Sequence, residues 1–172
     1  IDSVSTVSDS YATGDVNSPG ANTAGGLIGQ VFIRYGTADS LASASITRTY
    51  SSGDVIGNDR VGGITGYLGN LESEFNTLYI EDNFAIGSVT GANAGAIVGD
   101  TEATDHPIFF DNSFFDSVTT TKSDCAGDLS LTVAECANAD AADYIGSASS
   151  EPVATWFTDS EQWIVPAESL PN

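Results

Sequence analysis

The chain has 172 residues, of which 41% are hydrophobic, so its length and composition allow one folded domain with its own core. Four basic residues stand against 24 acidic ones, which gives a formal net charge of −20 at pH 7. Such a surface repels nucleic acid and anionic lipid, and no apolar stretch has the length of a membrane span. We therefore expect neither nucleic acid binding nor membrane insertion, and we expect an extracellular or cell-surface protein.

Three segments of the chain carry copies of one motif, in which an aromatic residue precedes a Gly-Asp-Val or Gly-Ser-Val run and a later glycine-rich run. The aromatic position recurs at Tyr11, Tyr50 and Phe84, a spacing of 39 and then 34 residues. Spacings of this size are typical of solenoids, in which a repeat buries its apolar face only against neighbouring repeats. The spacing therefore predicts a stacked array.

Within each copy, short β-branched runs are bounded by Gly, Asn and Asp, a pattern typical of strands joined by tight turns. No helical period of apolar residues runs through residues 1–117. We expect glycines to adopt positive φ at the corners, and Asp15 and Asp54 to cap turn amides. Stacking predicts three columns of aligned side chains: Tyr11 with Tyr50 and Phe84, Val16 with Val55 and Val89, and either Leu27 or Ile28 with Ile64 and Ile97.

Segments 34–40 and 70–76 differ between copies, so we expect them to project from the array. Residues 108–117 indicate a fourth, degenerate copy, whose aromatic pairs are expected to close the apolar end of the stack. These features place the repeat region at 1–117.

Residues 118–172 have a different character and are expected to form a capping segment. Ser130 is a candidate N-cap of a short helix, and residues 137–144 are good helix formers. Cys125 and Cys136 are the only cysteines, and we expect them to form a disulfide worth about 3 kcal/mol, with two free thiols as the alternative.

Across residues 5–100, the Tyr-Ala-Thr-Gly-Asp-Val run at Tyr11 and the Gly-Gly-Leu-Ile-Gly run that follows it resemble the GLUG repeat of bacterial adhesins and streptococcal immunoglobulin-A peptidases. The third copy departs from that pattern at Ser88 and Ala96, so a local difference is expected there. The resemblance implies a non-catalytic part of a secreted or surface protein. The fold expected is an all-β parallel β-solenoid of three to four coils with a small, disulfide-bonded, partly helical C-terminal cap.

Carboxylate pairs are the usual tools of β-helical polysaccharide-degrading enzymes, and the chain offers three candidates: Glu81 with Asp82, Asp105 beside His106, and Asp111 with Asp116. Neighbouring strand residues point to opposite faces, so Glu81 and Asp82 are not expected to act together. The basic residues available to such an enzyme are Arg34, Arg48, Arg60, Lys122 and His106.

Clustered oxygen ligands, either Asp111 with Asn112 and Asp116 or Glu72 with Glu74, are candidates for calcium, although no cofactor is expected. Tyr35, Phe75 and Tyr79 are candidates for glycan stacking. The favoured interpretation is a non-enzymatic adhesin stalk or filament subunit. Its expected partner is either another copy of the chain, through strand edges, or a host or matrix glycan or protein. The alternatives are a carbohydrate-binding module and a polysaccharide-degrading β-helix.

Overall fold

The computed structural model describes residues 3–34, 37, 39, 42–71, 76–101, 108–127 and 136–138. Regular structure in these residues is almost entirely strand, which confirms the prediction of a mainly β chain. In chain order the elements are β1 (Ser3–Ala12), β2 (Val16–Asn17), β3 (Thr23–Gly25), β4 (Ile28–Arg34), β5 (Ala42–Ser51), β6 (Val55–Ile56), β7 (Arg60–Gly62), β8 (Thr65–Leu71), β9 (Asn76–Ala85), β10 (Val89–Thr90), β11 (Asn93–Gly95), β12 (Val98–Thr101), β13 (Ile108–Asp111), β14 (Ser113–Phe115), α1 (Ser117–Thr120) and β15 (Cys136–Asn138).

The strands fall into groups that follow one another with the same internal order. We call them repeat 1 (β1–β4), repeat 2 (β5–β8), repeat 3 (β9–β12) and repeat 4 (β13, β14, α1 and residues 121–127). Each strand of repeats 1 to 3 pairs in parallel with its equivalent in the next repeat, in the orders β1-β5-β9, β2-β6-β10, β3-β7-β11 and β4-β8-β12. Repeat 4 extends the first of these sheets, because β13 and β14 both pair with β9.

The strand register aligns the columns that the sequence predicts. Tyr11 lies opposite Tyr50, and Tyr50 opposite Phe84, with the last two rings stacked at 5.6 Å between centroids. The valine column is aligned in the same way. The third column contains Leu27, because Ile28 lies opposite Thr65 in register and Leu27 precedes Ile28 as Ile64 precedes Thr65.

One position in each repeat interrupts the pairing of the longest sheet. Asp9, Arg48, Asp82 and Asn112 all have φ between 44° and 54°, the left-handed region that side chains other than Gly, Asn and Asp rarely adopt. Each lies two residues before the aromatic position, and Asp9, Arg48 and Asp82 are missing from the paired register. We call this column the bulge row. Both strands of each pair carry this residue, so neither strand has an extra residue, and the backbone groups that leave the ladder here must be satisfied by other means.

Small polar side chains directly after the bulge row supply those partners inside the core. The fully buried Asn83 donates from Nδ2 to the Ile46 carbonyl at 2.9 Å and accepts through Oδ1 from the Thr49 hydroxyl at 2.6 Å and amide at 3.2 Å. Ser113 donates to the Asp111 carbonyl at 3.2 Å, and Ser10 donates to the Ser8 carbonyl at 2.8 Å. The bulge is therefore tolerated because a polar residue follows it in every repeat.

The glycines serve close approach of the backbones rather than positive φ. None of the described glycines has φ in the left-handed region, so the expectation of positive φ at glycine corners was wrong. A Cβ atom on Gly53 would collide with the Gly14 backbone of repeat 1, and one on Gly66 would collide with the Ala24 backbone and the Gly29 carbonyl. Glycine at these two positions lets neighbouring repeats lie in contact.

Apolar side chains fill the space enclosed by the sheets. The main cluster is fully or almost fully buried in repeats 2 and 3, where its largest members are Ile46, Ile64, Leu68, Leu78, Ile80 and Ile97. A second, smaller cluster surrounds Val55, Val61 and Val89. Burial is thus deepest where a repeat has neighbours on both sides.

The end of repeat 4 agrees with the expectation in part. One ring of each aromatic pair, Phe110 and Phe115, packs in or against the main core cluster, whereas Phe109 is 49% exposed and β15 continues the sheet beyond β14. Residues 137 and 138 belong to β15, so the helix predicted to begin at Ser130 and to continue through 137–144 is wrong at these two residues. The described helix is instead α1, whose N-cap Asp116 accepts from the Val118 and Thr119 amides.

Only part of the predicted cap lies in the described residues. Cys125 is 5% exposed and disulfide-bonded, and the one other cysteine of the chain is Cys136. The side chain of Cys136 lies outside the described part of the structure, so the Cys125–Cys136 pairing stays a prediction. The Ser130 N-cap and residues 139–172 also lie outside it, and the domain boundary at 117 stays a prediction.

Candidate interaction surfaces

Two exposed rings form an aromatic strip on the outer face of the longest sheet. Tyr79 of β9 and Phe109 of β13 lie opposite each other in register, with ring centroids 5.4 Å apart and planes 16° apart. They are 37% and 49% exposed. The residue that lies opposite Tyr79 in β5 is Ser45, whose side chain is too small to match a ring. Of the three predicted glycan-stacking residues, Tyr79 is in this strip, whereas Tyr35 and Phe75 lie outside the described residues.

Two carboxylates lie beside the aromatic strip, two residues further along the same strands. Glu81 is opposite Asp111 in register. Partial burial, together with the charges of Asp111 and Asp82, raises the pKa of Glu81 above its ordinary value. Because Asp82 has positive φ, the strand alternation breaks there, and both Glu81 and Asp82 are partly exposed. The alternation argument against a catalytic pair therefore does not hold at Asp82, and whether Glu81 and Asp82 act together stays a prediction.

The bulge row carries alternating charge along the stack. Arg48 donates from Nε to Asp9 Oδ1 at 2.6 Å and from Nη2 to Asp9 Oδ2 at 2.7 Å, a bidentate pair. The guanidinium lowers the pKa of Asp9, and the charge of Asp82 on its other side adds to the raised pKa of Arg48. Asn112 Nδ2 then donates to Asp82 Oδ1 at 2.7 Å. Arg48 and Asp82 thus have a complementary neighbour on each side, whereas Asp9 has one in the next repeat only.

The corner aspartates form a second row, as predicted, but they cap amides of the next repeat. Asp15 Oδ1 accepts from the Asp54 amide at 3.0 Å, and Asp54 Oδ1 accepts from the Ser88 amide at 2.9 Å. Hydrogen bonds from the Ser88 side chain and backbone lower the pKa of Asp54. Ser88 replaces the aspartate in repeat 3, yet the Val55 amide donates to the Ser88 carbonyl at 2.8 Å just as the Val16 amide donates to the Asp54 carbonyl at 2.8 Å, so the local difference expected there does not appear in the backbone pairing.

The end of repeat 1 leaves apolar side chains and a strand edge uncovered. Val7 is 37% exposed, whereas its register partner Ile46 is 1% exposed. Val4 and Tyr11 on the same strand are 69% and 67% exposed. Among the described strands, β1 pairs with β5 alone, so its other edge is unpaired. We call this surface the open end.

The remaining candidates for catalysis and calcium binding are not brought together in the described residues. Asp116 is buried and caps α1, Asp111 is exposed on the outer face, and Asn112 donates to Asp82. No group of three or more His, Cys, Asp or Glu side chains that could hold a metal ion occurs among the residues described. Glu72, Glu74, Asp105 and His106 lie outside them.

The described basic side chains are held in surface contacts. Arg60 Nε lies 2.9 Å from Asp100 Oδ2. Arg60 Cζ lies 4.3 Å from the centroid of the Tyr67 ring, which is a cation–π geometry. Arg48 is occupied by Asp9. Lys122 is partly exposed, and the side chains of Arg34 and His106 are not described. Sequence reasoning missed the bulge row because its members differ in chemistry, and the one available signal was the polar residue directly before each aromatic.

Comparison with protein-family models, with curated proteins and with solved structures finds no match for this chain. The resemblance to the GLUG repeat therefore rests on its motif residues alone and stays a prediction. The described helix is too short to cross a membrane, and no other candidate span occurs in the part of the chain that the structure describes.

Proposed function

We propose that this protein is a non-enzymatic, extracellular structural and adhesive module, an adhesin stalk or a subunit of a self-assembling surface filament. Its architecture in this proposal is a parallel β-solenoid of three to four coils with a disulfide-bonded C-terminal cap. The observation that carries the proposal is the strand-for-strand parallel pairing of equivalent strands from repeat to repeat, with their side chains in continuous columns.

Stacking of this kind supports a mechanical role for a physical reason. Backbone hydrogen bonds between repeats run along the stack, together with the columns of apolar side chains and the bulge row. Stability is then a sum of contacts between neighbours, so a stack keeps its form as it lengthens. The net charge of −20 keeps such surfaces apart in solution except where specific contacts form.

The test combines electron microscopy with assays of turnover. We expect negatively stained particles of constant width that lengthen as protein concentration rises, and no breakdown of uncharged or cationic polysaccharides. Deleting residues 1–7 removes half of the edge strand β1, so we expect it to abolish lengthening while circular dichroism still shows a folded β chain. Particles that keep one compact size, or lengthening that survives the deletion, would contradict the filament form.

A carbohydrate-binding module is the second candidate, because the aromatic strip offers a partly exposed ring beside two carboxylates. Rings of this kind stack on sugar faces, and carboxylates accept hydrogen bonds from hydroxyl or amino groups. A glycan array should lose its signal with Tyr79→Ala and Phe109→Ala. Phe32→Ala is the matched control, because Phe32 is 39% exposed on another sheet. Turnover of a bound glycan that disappears with Glu81→Gln would instead identify a polysaccharide-degrading enzyme and overturn the proposed function.

A further inference from the structure

We infer that the open end is a docking surface for one further repeat of the same motif, which carries Arg or Asn next to Asp9. The inference rests on the proposed structural function and names the partner of that stack. Three observations support it: the clearance at two glycines of repeat 1, the exposed apolar side chains of repeat 1, and the position of Asp9 at the end of the bulge row with a donor on one side only.

Two glycines of repeat 1, Gly14 and Gly29, lack the close backbone contacts that their equivalents in repeat 2 make. Gly20 also meets nothing within 4 Å, but it lies in the connection between β2 and β3, which is longer in repeat 1 than its counterpart in repeat 2. The equivalents of Gly14 and Gly29 in repeat 2, Gly53 and Gly66, must be glycine, because the backbone of repeat 1 lies against these two residues. At the equivalent positions in repeat 1, Gly14 and Gly29, a Cβ atom would meet nothing within 4 Å, and φ is not positive. Because Gly53 and Gly66 face the preceding repeat, the clearance at Gly14 and Gly29 lies on the side of the open end, where it has room for the backbone of a further repeat.

The exposed apolar side chains of repeat 1 indicate the same occupant. Val7, Val16 and Leu27 are partly or largely exposed, whereas the residues aligned with them in repeat 2 are at most 1% exposed. All of the aligned side chains in the two repeats are aliphatic. Among the described residues, repeat 2 has a preceding repeat and repeat 1 has none. A further repeat at the open end would cover these apolar side chains and pair the free edge of β1.

The bulge row specifies which repeat fits. Along the row, carboxylates alternate with the hydrogen-bond donors Arg48 and Asn112. Asp9 ends the row with a donor on one side only. A repeat with Arg or Asn at this position continues the alternation, whereas a repeat with Asp or Glu there places two carboxylates in adjacent strands and is disfavoured.

The chain offers its own material for the test, because Ser3, Ala42 and Asn76 share one register position. Residues 42–75 can therefore be duplicated between positions 2 and 3, so that the inserted copy leads into Ser3 as repeat 2 leads into Asn76. Its Arg48 then lies next to Asp9. We expect the extended chain to unfold at a temperature several degrees above that of the native chain, because the open end is covered.

Gly14→Ala discriminates between docking and a general effect of added length. In the native chain we expect the substitution to move the unfolding temperature by no more than about 1 °C. In the extended chain the same alanine meets the inserted backbone, as Gly53 meets Gly14, and we expect a fall of about 6 °C or more. Gly29→Ala is an independent second variant with the same expectation, from the other glycine column.

The preference for Arg or Asn next to Asp9 is tested by Arg48→Asp in the inserted copy alone. This substitution should lower the unfolding temperature of the extended chain by about 2 °C. Equal effects of Gly14→Ala in the two chains, or an extended chain less stable than the native one, would overturn the inference. Either result would leave the proposed function standing if the microscopy shows elongated particles. Polysaccharide turnover would overturn the proposed function without touching the docking result.

Discussion

Repeat 1 and repeat 2 share one pattern of residues, yet they occupy different environments. Ile46 in repeat 2 lies between two neighbours and is 1% exposed, while Val7 at the aligned position is 37% exposed. Val55 is fully buried, and Val16 is only partly so. The difference teaches that a repeat specifies its strands locally but obtains its burial from the repeats on either side. Paired substitutions at aligned positions can measure how much each neighbour contributes.

The core column should give the largest difference. Ile46→Ala leaves a cavity enclosed on both sides, and we expect it to lower the free energy of unfolding by about 4 kcal/mol. Val7→Ala removes side-chain atoms that are already partly in water, so we expect a loss of about 1 kcal/mol. Chemical denaturation of both variants measures the two losses. Similar losses would mean that Val7 is covered in solution and that the two repeats do not differ in burial.

The glycine column should give the next largest difference. Gly53→Ala places a methyl group against the Gly14 backbone and should cost about 3 kcal/mol. Gly14→Ala meets open space, so we expect a change within about 0.5 kcal/mol in either direction. Thermal unfolding followed by circular dichroism compares them. A large loss from Gly14→Ala in the native chain would sink the assignment of an open end.

The polar residue after the bulge row should show a smaller contrast. Asn83→Ala leaves the Ile46 carbonyl and the Thr49 amide without their side-chain partner inside the core, and we expect a loss of about 2 kcal/mol. Ser10→Ala removes one hydrogen bond that is only partly buried, so we expect a loss of about 0.5 kcal/mol. Urea denaturation of both variants measures the difference, and equal losses would mean that burial does not set the contribution of the polar residue.

The corner row should give the smallest effect, visible as a dependence on pH. Hydrogen bonds from Ser88 lower the pKa of Asp54 in the folded chain, so the charged carboxylate stabilises folding above its ordinary pKa of 3.8. That contribution, about 0.5 kcal/mol for so exposed a group, is lost as pH falls through the lowered pKa. Stability curves of the native chain and Asp54→Asn should therefore differ at pH 6 and converge near pH 2. A constant difference across this range would mean that the charge is not involved.

Much of the stack could be predicted from the sequence because its columns repeat the same residue types. The positions of Tyr11, Tyr50 and Phe84 are fixed by shape and hydrophobicity, and residues of one type at one spacing align when strands pair in register. The choice between Leu27 and Ile28 needed the structure. Adjacent apolar residues fit a column equally well until the strand register is known, which places Ile28 opposite Thr65.

The interaction surfaces could not be predicted in the same way. The bulge row contains Asp9, Arg48 and Asp82, which share a backbone conformation but no side-chain chemistry, so no motif marks it. The clearance at Gly14 depends on what lies above the repeat, a property of the neighbour rather than of the residue. Strand β15 at residues 137 and 138 overrides a local preference for helix, because pairing with β14 decides its conformation.

The unequal spacings of 39 and 34 residues come from the connections between the paired strands, which differ in length from repeat to repeat. A gene encoding such a chain can gain or lose a unit, or alter a connector, without changing the cross-section of the molecule. Each duplication would add about 4.8 Å of height, the spacing of neighbouring strands, and nothing else. Reach can therefore be tuned by copy number during evolution, while the terminal faces keep their specificity.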